Sequence, residues 1–215
     1  VTAVEVHLVA LDRDRAEADA IGVLSPRERE RLASLRYRRD RRRYAVCRAA
    51  LRCVLGSRLR VAPREVVLDA GEMGKPFVPG GPAFNLSHSG ELALIAVAGG
   101  AGAIGVDLER IRRDRPVAQL ARRFFSPAEC RALEALHGEE LSAAFYWCWT
   151  AKEAYLKALG VGLTRPLDSF DVSVDLSSPP RLLCDRGDTG AGRWTLRRLH
   201  VADGYAATLA IAACD

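Results

Sequence analysis

A glycine-rich stretch at residues 99–105 constrains the fold of this 215-residue chain most, because it divides the chain into two segments that each carry one long helix. Before it, periodicity predicts a strand over residues 4–9, a helix opening at Ser25-Pro26 with Glu28 in its first turn, and a long helix over 40–59. Short strands are expected at 66–68, 84–86 and 92–98. After it come a strand at 104–110 and helices over 117–125, 127–136 and 142–159. Strands over 170–174, 194–199 and 205–212 follow, with Asp203-Gly204 turning the last pair. Helices and strands are grouped unevenly and do not alternate strictly, which predicts an α+β chain with mainly antiparallel sheets. The expected division is an N-terminal half, 1–102, and a C-terminal half, 103–215, each with one long helix. In the first long helix Tyr44, Cys47, Leu51, Val54 and Leu55 recur at helical spacing and are expected in the core.

Two segments of the C-terminal half concentrate acidic groups. In Ile104-Gly-Val-Asp-Leu-Glu-Arg110 a strand points Ile104, Val106 and Leu108 inward and sets Asp107 and Glu109 on one face, about 6.5–7 Å apart. In Trp149-Thr-Ala-Lys-Glu-Ala-Tyr-Leu-Lys157 a helix aligns Trp149, Glu153 and Lys157 at intervals of four. Alone, each is ordinary: a solvated strand face and a helix ion pair. Together, Asp107, Glu109 and Glu153 read as ligands for Mg²⁺, with Mn²⁺ as the alternative ion. Magnesium takes one or two carboxylates and completes its shell with water and substrate phosphate, so a lysine nearby suggests a phosphate-bearing ligand.

Charge and composition narrow the class. Nine arginines stand between Arg27 and Arg43 against Glu28, Glu30 and Asp40, so a nucleic-acid-binding protein is the alternative reading. No helix-turn-helix, zinc-finger or RNA-recognition pattern accompanies them. The longest apolar run, from Leu92 to Ala98, is far too short for a membrane span, and no secretory signal is visible. Six cysteines show no metal or disulfide spacing, which predicts reduced thiols and a cytoplasmic protein. Gly100-Ala-Gly102-Ala-Ile-Gly105 matches a dinucleotide fingerprint in letters only. A strand follows where a helix is required, so its glycines read as a linker. Gly74-Lys75-Pro76 cannot open a P-loop helix, and Ser87-His88 lacks the elbow of a serine hydrolase.

Five motifs in order, Gly74-Lys-Pro76, Phe84-Asn-Leu-Ser-His-Ser-Gly90, Gly105-Val-Asp-Leu-Glu-Arg110, Arg123-Phe-Phe-Ser-Pro-Ala-Glu129 and Trp149 to Lys157, resemble the Sfp-type 4′-phosphopantetheinyl transferases of the W/KEA group. The region of resemblance runs from about residue 25 to residue 170, roughly two thirds of the chain. The resemblance implies a monomer of two similar α+β halves with coenzyme A in the cleft between them. The implied activity moves the phosphopantetheine arm of coenzyme A to a serine of an acyl or peptidyl carrier protein, as in polyketide and nonribosomal peptide assembly. It releases adenosine 3′,5′-bisphosphate and uses neither nucleic acid nor membrane. In that reading Asp107, Glu109 and Glu153 bind the metal, Glu153 takes the serine proton directly or through a water, and Lys157 neutralises diphosphate. The same resemblance sets Gly74, Lys75 and Pro76 against adenine, with the lysine near phosphate, and puts Ser87 and His88 on coenzyme phosphates. Arg31 and Arg43 would hold the 3′-phosphate, and Lys152 would support the site. Glu28 stands where relatives can carry lysine. Carrier proteins are acidic around their serine, so Arg122, Phe124 and Phe125 are expected contacts.

Overall fold

The computed structural model describes residues 3–12, 16–71, 73–100, 102–187 and 193–213. Strand β1 (Val4–Ala10) leads through α1 (Ala16–Val23) and α2 (Pro26–Ser34) into the long α3 (Arg38–Leu59). Strands β2 (Asp69–Ala70) and β3 (Pro76–Phe77) make a small hairpin before β4 (Phe84–Ser89) and β5 (Leu92–Ala98). Then come β6 (Ile104–Arg110), α4 (Val117–Phe124), α5 (Pro127–Glu134) and the second long helix, α6 (Gly138–Leu159). Four strands finish the chain: β7 (Phe170–Val172), β8 (Leu182–Asp185), β9 (Trp194–Arg198) and β10 (Tyr205–Ala212). Among the described residues no helix is long and apolar enough to cross a membrane.

Helices start where local chemistry dictates. Ser25 and Ser126 each accept the backbone N–H three residues on, Glu28 and Glu129 return the bond to the cap, and proline opens both helices. These capping boxes satisfy donors that the first helical turn cannot pair internally.

Two antiparallel three-stranded sheets form, ordered β1-β5-β4 and β6-β10-β9. They share one core, in which Leu94, Ala96 and Ala98 of β5 meet Val106, Leu108 and Leu209. The other face of β5, Ile95 and Val97, packs on Leu51 and Leu55 of α3. Helix α6 covers the outer face of the second sheet, where Ala154 and Tyr155 join Ala206 and Ala210. The strand period of two thus sorts each sheet's residues between a shared interior and its own long helix.

The sheets meet along β4 and β6 without a main-chain ladder. Instead, alternate β4 side chains accept β6 N–H groups: Asn85 Oδ1 from Val106 at 2.8 Å, Ser87 Oγ from Leu108 at 3.2 Å and Ser89 Oγ from Arg110 at 3.1 Å. Three short polar residues thereby satisfy donors that an unpaired strand edge would leave open.

Several elements depart from the sequence expectation. Residues 66–68 pair with no strand, and the Val66 carbonyl accepts from buried Arg52 at 3.0 Å. Helix α1, the β2–β3 hairpin and β8 were not foreseen. Gly105 is no linker: it lies within β6, and a Cβ there would strike the main chain of α6 at Ala154 and Ala158. The missing side chain lets helix and strand touch. Tyr44 is only half-buried and faces a cleft, outside the core assigned to it.

Candidate active site

The contact at Gly105 sets the distance between β6 and α6, and with it the spacing of their polar side chains. Asp107 and Glu109 from β6 and Trp149, Glu153 and Lys157 from α6 line one opening, joined by Ser87 and His88 of β4. Lys157 Nζ donates to Asp107 Oδ1 at 2.5 Å and to Ser87 Oγ at 3.0 Å. Ser87 Oγ in turn donates to Asp107 Oδ1 at 2.8 Å, and Ser89 Oγ donates to Glu109 Oε2 at 2.7 Å.

Negative charge here exceeds its compensation. Burial, then the neighbouring Asp107 charge, pushes the Glu153 carboxyl above the usual carboxylate range. Burial likewise raises Glu109, against the Ser89 hydrogen bond that lowers it. Asp107 is 4% exposed, and its Oδ2 is buried with no hydrogen-bond partner. A carboxylate oxygen in that state calls for a cation or a donor. The donor set is all oxygen, which suits a hard divalent ion. Among the described residues no three of Asp, Glu, His and Cys are preassembled as a closed metal cage. Such a cage is unnecessary for magnesium, which relies on water and substrate oxygens for most of its shell.

The opening belongs to a longer cleft. His88 and Leu86 connect it to a second opening bounded by Arg31, Arg43 and Tyr44. Arg31, Tyr44 and Arg48 connect that one to a third, reaching Gly74 and Pro76. Beyond the carboxylates, Glu109 and Trp149 border a further opening lined by Arg112, Arg115, Phe145 and Tyr146.

Comparison with known proteins identifies the lineage. Residues 103–210 match the family model described as the 4′-phosphopantetheinyl transferase superfamily, and residues 14–99 match that of the 4′-phosphopantetheinyl transferase N-terminal region. The 4′-phosphopantetheinyl transferase HetI of a Nostoc species is 37% identical over 216 residues, covering 97% of this chain and 88% of HetI. This chain belongs to the 4′-phosphopantetheinyl transferase superfamily. The Bacillus subtilis 4′-phosphopantetheinyl transferase Sfp is 30% identical over 174 residues, 78% of this chain and 75% of Sfp. A holo-(acyl-carrier-protein) synthase from Bacillus anthracis, solved in complex with CoA (3′,5′-ADP), aligns with a TM-score of 0.45 at 22% identity, over 54% of this chain and 100% of that one.

The structure gathers most of the 4′-phosphopantetheinyl transferase motif residues and displaces others. Asp107, Glu109, Glu153, Lys157, Ser87 and His88 share one opening, and Arg31, Arg43, Gly74 and Pro76 line the cleft that continues from it. Burial, then the charges of Lys157 and Arg43, lowers the His88 pKa, so its imidazole is neutral near pH 7.

Lys152 is a correction. It is fully buried away from the cleft, donating to the Leu167 and Phe170 carbonyls at 2.8 and 2.6 Å and pairing with Glu129 at 2.7 Å. Its ammonium also lies 4.3 Å from the Phe170 ring centroid, so it holds the base of α6 to the chain that follows. Lys75 is a second. Its Nζ donates to the Ile104 carbonyl at 3.2 Å and to that of Lys157 at 2.6 Å, in the last turn of α6, where carbonyls lack helical partners. Ser87 lines the opening with its hydroxyl engaged by Asp107, the Leu108 N–H and Lys157. Arg43 lines the cleft with its guanidinium tied to Asp12 at 2.9 and 2.5 Å. Phe125 is buried against Phe145, rings 5.2 Å apart, which leaves Arg122 and Phe124 at the surface it was expected to share.

Arg48 and Tyr44 are among the cleft residues that periodicity missed, as are Arg112, Arg115, Phe145 and Tyr146. The first two sit four apart on α3, the spacing of Glu153 and Lys157 on α6. An aromatic at a helical core interval is hard to tell from one facing a cleft.

Proposed function

We propose that this chain transfers the 4′-phosphopantetheine arm of coenzyme A to a serine hydroxyl of acyl or peptidyl carrier proteins, releasing adenosine 3′,5′-bisphosphate. Family membership supports the activity. The observation that carries the site assignment is the convergence of Asp107, Glu109, Glu153 and Lys157 on one opening, with Asp107 Oδ2 unsatisfied. Asp107, Glu109 and Glu153 would hold a magnesium ion, or manganese in its place. That ion supplies charge neutralisation at the diphosphate as the bond breaks.

The chain's own groups do the rest. The serine oxygen attacks the β-phosphorus of coenzyme A, a new P–O bond forms, and the bond to the bridging oxygen breaks with adenosine bisphosphate leaving. Glu153 accepts the serine proton directly or through one water. Lys157, one helical turn on, moves from Asp107 to the charge that develops on diphosphate. Neutral His88 stands between the carboxylates and the arginine-lined part of the cleft, where it can donate to phosphate oxygen. The nucleotide end lies toward Arg31, Gly74 and Pro76, and the carrier approaches past Arg122 and Phe124. In this reading residues 1–102 and 103–215 are the two halves, and the enzyme acts as a monomer. The free thiols of Cys47, Cys53, Cys130, Cys148 and Cys184 accord with action in the cytoplasm.

The test mixes the protein with a fluorescent coenzyme A conjugate, an apo carrier protein and Mg²⁺. Label moves to the carrier serine, and a chelator stops it. Absence of label on a panel of acyl and peptidyl carriers would overturn the proposal.

A further inference from the structure

Two openings of the cleft meet at the junction of α2 and α3. One, of about 730 Å³, extends to Gly74 and Pro76, and the other, of about 600 Å³, extends to His88 and Gly90. Arg31, Tyr44 and Arg48 are the residues that line both, so a ligand running from the hairpin to His88 passes over all three.

Arg48 is held in a way that Arg31 is not. Its Nε donates to Glu28 Oε1 at 2.7 Å, and its side chain is 17% exposed beside a Glu28 side chain that is 7% exposed. Glu28 is itself fixed, since its Oε2 accepts from Ser25 N at 2.9 Å and from Arg52 Nε at 2.5 Å. Arg52 Nη1 donates to the Pro63 and Val66 carbonyls at 3.2 and 3.0 Å. Arg48 is therefore clamped at Nε, and no described residue takes its two terminal nitrogens. A guanidinium oriented in this way, with its outer edge open, suits two oxygens of one phosphate.

Charge points the same way. Asp12 occupies Arg43, and Asp40 lies 3.6 Å from Arg39. Arg48 and Arg52 share the one Glu28 carboxylate, so the trio keeps one net positive charge, and Arg31 pairs with no carboxylate among the described residues where the openings meet. This charge matches a phosphomonoester, which carries about −1.5 to −2 near pH 7.

We propose that Arg48, oriented by Glu28, is the specificity residue for the 3′-phosphomonoester on the ribose of coenzyme A, binding it jointly with Arg31. The acidic residue at position 28 then contributes indirectly, by aiming an arginine from α3 at the phosphate. This rests on the coenzyme A reading above.

The experiment measures kcat and KM for coenzyme A and 3′-dephospho-coenzyme A with the wild type, Arg48→Gln and Arg48→Lys. Calorimetric titrations with adenosine 3′,5′-bisphosphate and 5′-AMP accompany it. Arg48→Gln lowers the preference for coenzyme A over the dephospho form by about 10- to 100-fold, mainly through KM, the loss of a charge-assisted pair. Its affinity for the bisphosphate falls in parallel while that for 5′-AMP holds. Arg48→Lys recovers part of the preference, since charge remains and the fork is lost. Equal losses on both donors, or an unchanged preference in either variant, overturn the assignment. Should Arg48→Gln fail to fold, Arg48→Lys carries the comparison. If the wild type transfers nothing from coenzyme A yet binds the bisphosphate more tightly than 5′-AMP, in a way that depends on Arg48, the transferase reading fails and this one stands.

Discussion

Replacing Gly105 with alanine separates the geometry of the site from its chemistry. The added Cβ would overlap Ala154 O and Ala158 N of α6, and even its loosest neighbour, Ala158 Cα, lies at 3.0 Å. Non-bonded carbons rest about 3.5–4.0 Å apart, so that contact alone must open by about 0.5–1 Å. All three atoms are main chain and cannot rotate aside, so the helix has to lift from β6. Overpacking of this kind costs about 1–3 kcal/mol. At roughly 2–4 °C per kcal/mol for a chain of this size, the melting temperature falls by about 2–12 °C. The same shift carries Glu153 and Lys157 away from Asp107, and a displacement of about 1 Å at reacting groups can cost about 100-fold in rate. Carrier labelling gives the rate, and thermal unfolding gives the stability. If Gly105→Ala melts and turns over like the wild type, the close contact does not set the site.

Glu153→Gln should nearly abolish carrier labelling while leaving the unfolding midpoint within about 0.5 kcal/mol of the wild type, as for substitutions outside the core; near wild-type turnover would remove its assignment as base and ligand. Lys152→Met should destabilise the fold by roughly 3–5 kcal/mol, because Glu129 is left buried without its cation. Urea unfolding checks this, and an unchanged midpoint would show that the pair is not needed. Asp12 should make the fold acid-sensitive. Hydrogen bonding from Arg43, against some desolvation, holds its carboxyl at about 2, below the ordinary 3.8. A depressed folded pKa stabilises the native state above about pH 4, and that stability is lost as pH falls towards 2. Asp12→Asn should therefore flatten the dependence of the urea midpoint on pH between about 5 and 3, and parallel curves for variant and wild type would contradict the pairing.

Legibility followed the range of the interactions. Capping boxes at Ser25 and Ser126 and the two faces of β6, with Ile104, Val106 and Leu108 in the core and Asp107 and Glu109 on the opening, are set by residues two to four apart, and the structure reproduces them. Strand β8 was missed because only Asp185 of its four residues is buried and it pairs only with β7. The hairpin of β2 and β3 has two residues per strand, too few for any periodicity to show. Residues 66–68 have strand composition and no neighbouring edge to join. At the site, motif residues were legible as a set and their partners were not. Lys75 and Lys152 are cations whose ammonium groups bind carbonyls distant in the chain, which one-dimensional spacing cannot reveal. Gly105 belonged to a run of glycines, and only the approach of α6 sets it apart from them.

A main-chain ladder holds two strands together whatever side chains they bear. Where β4 meets β6, the fastening is written into the identities of Asn85, Ser87 and Ser89. Substituting them would strip the polar seam and leave the shared apolar core as the remaining tie between the sheets. Two of the three, Ser87 and Ser89, also donate to Asp107 and Glu109, so the residues that button the sheets together are the ones that hang the acidic groups over the opening.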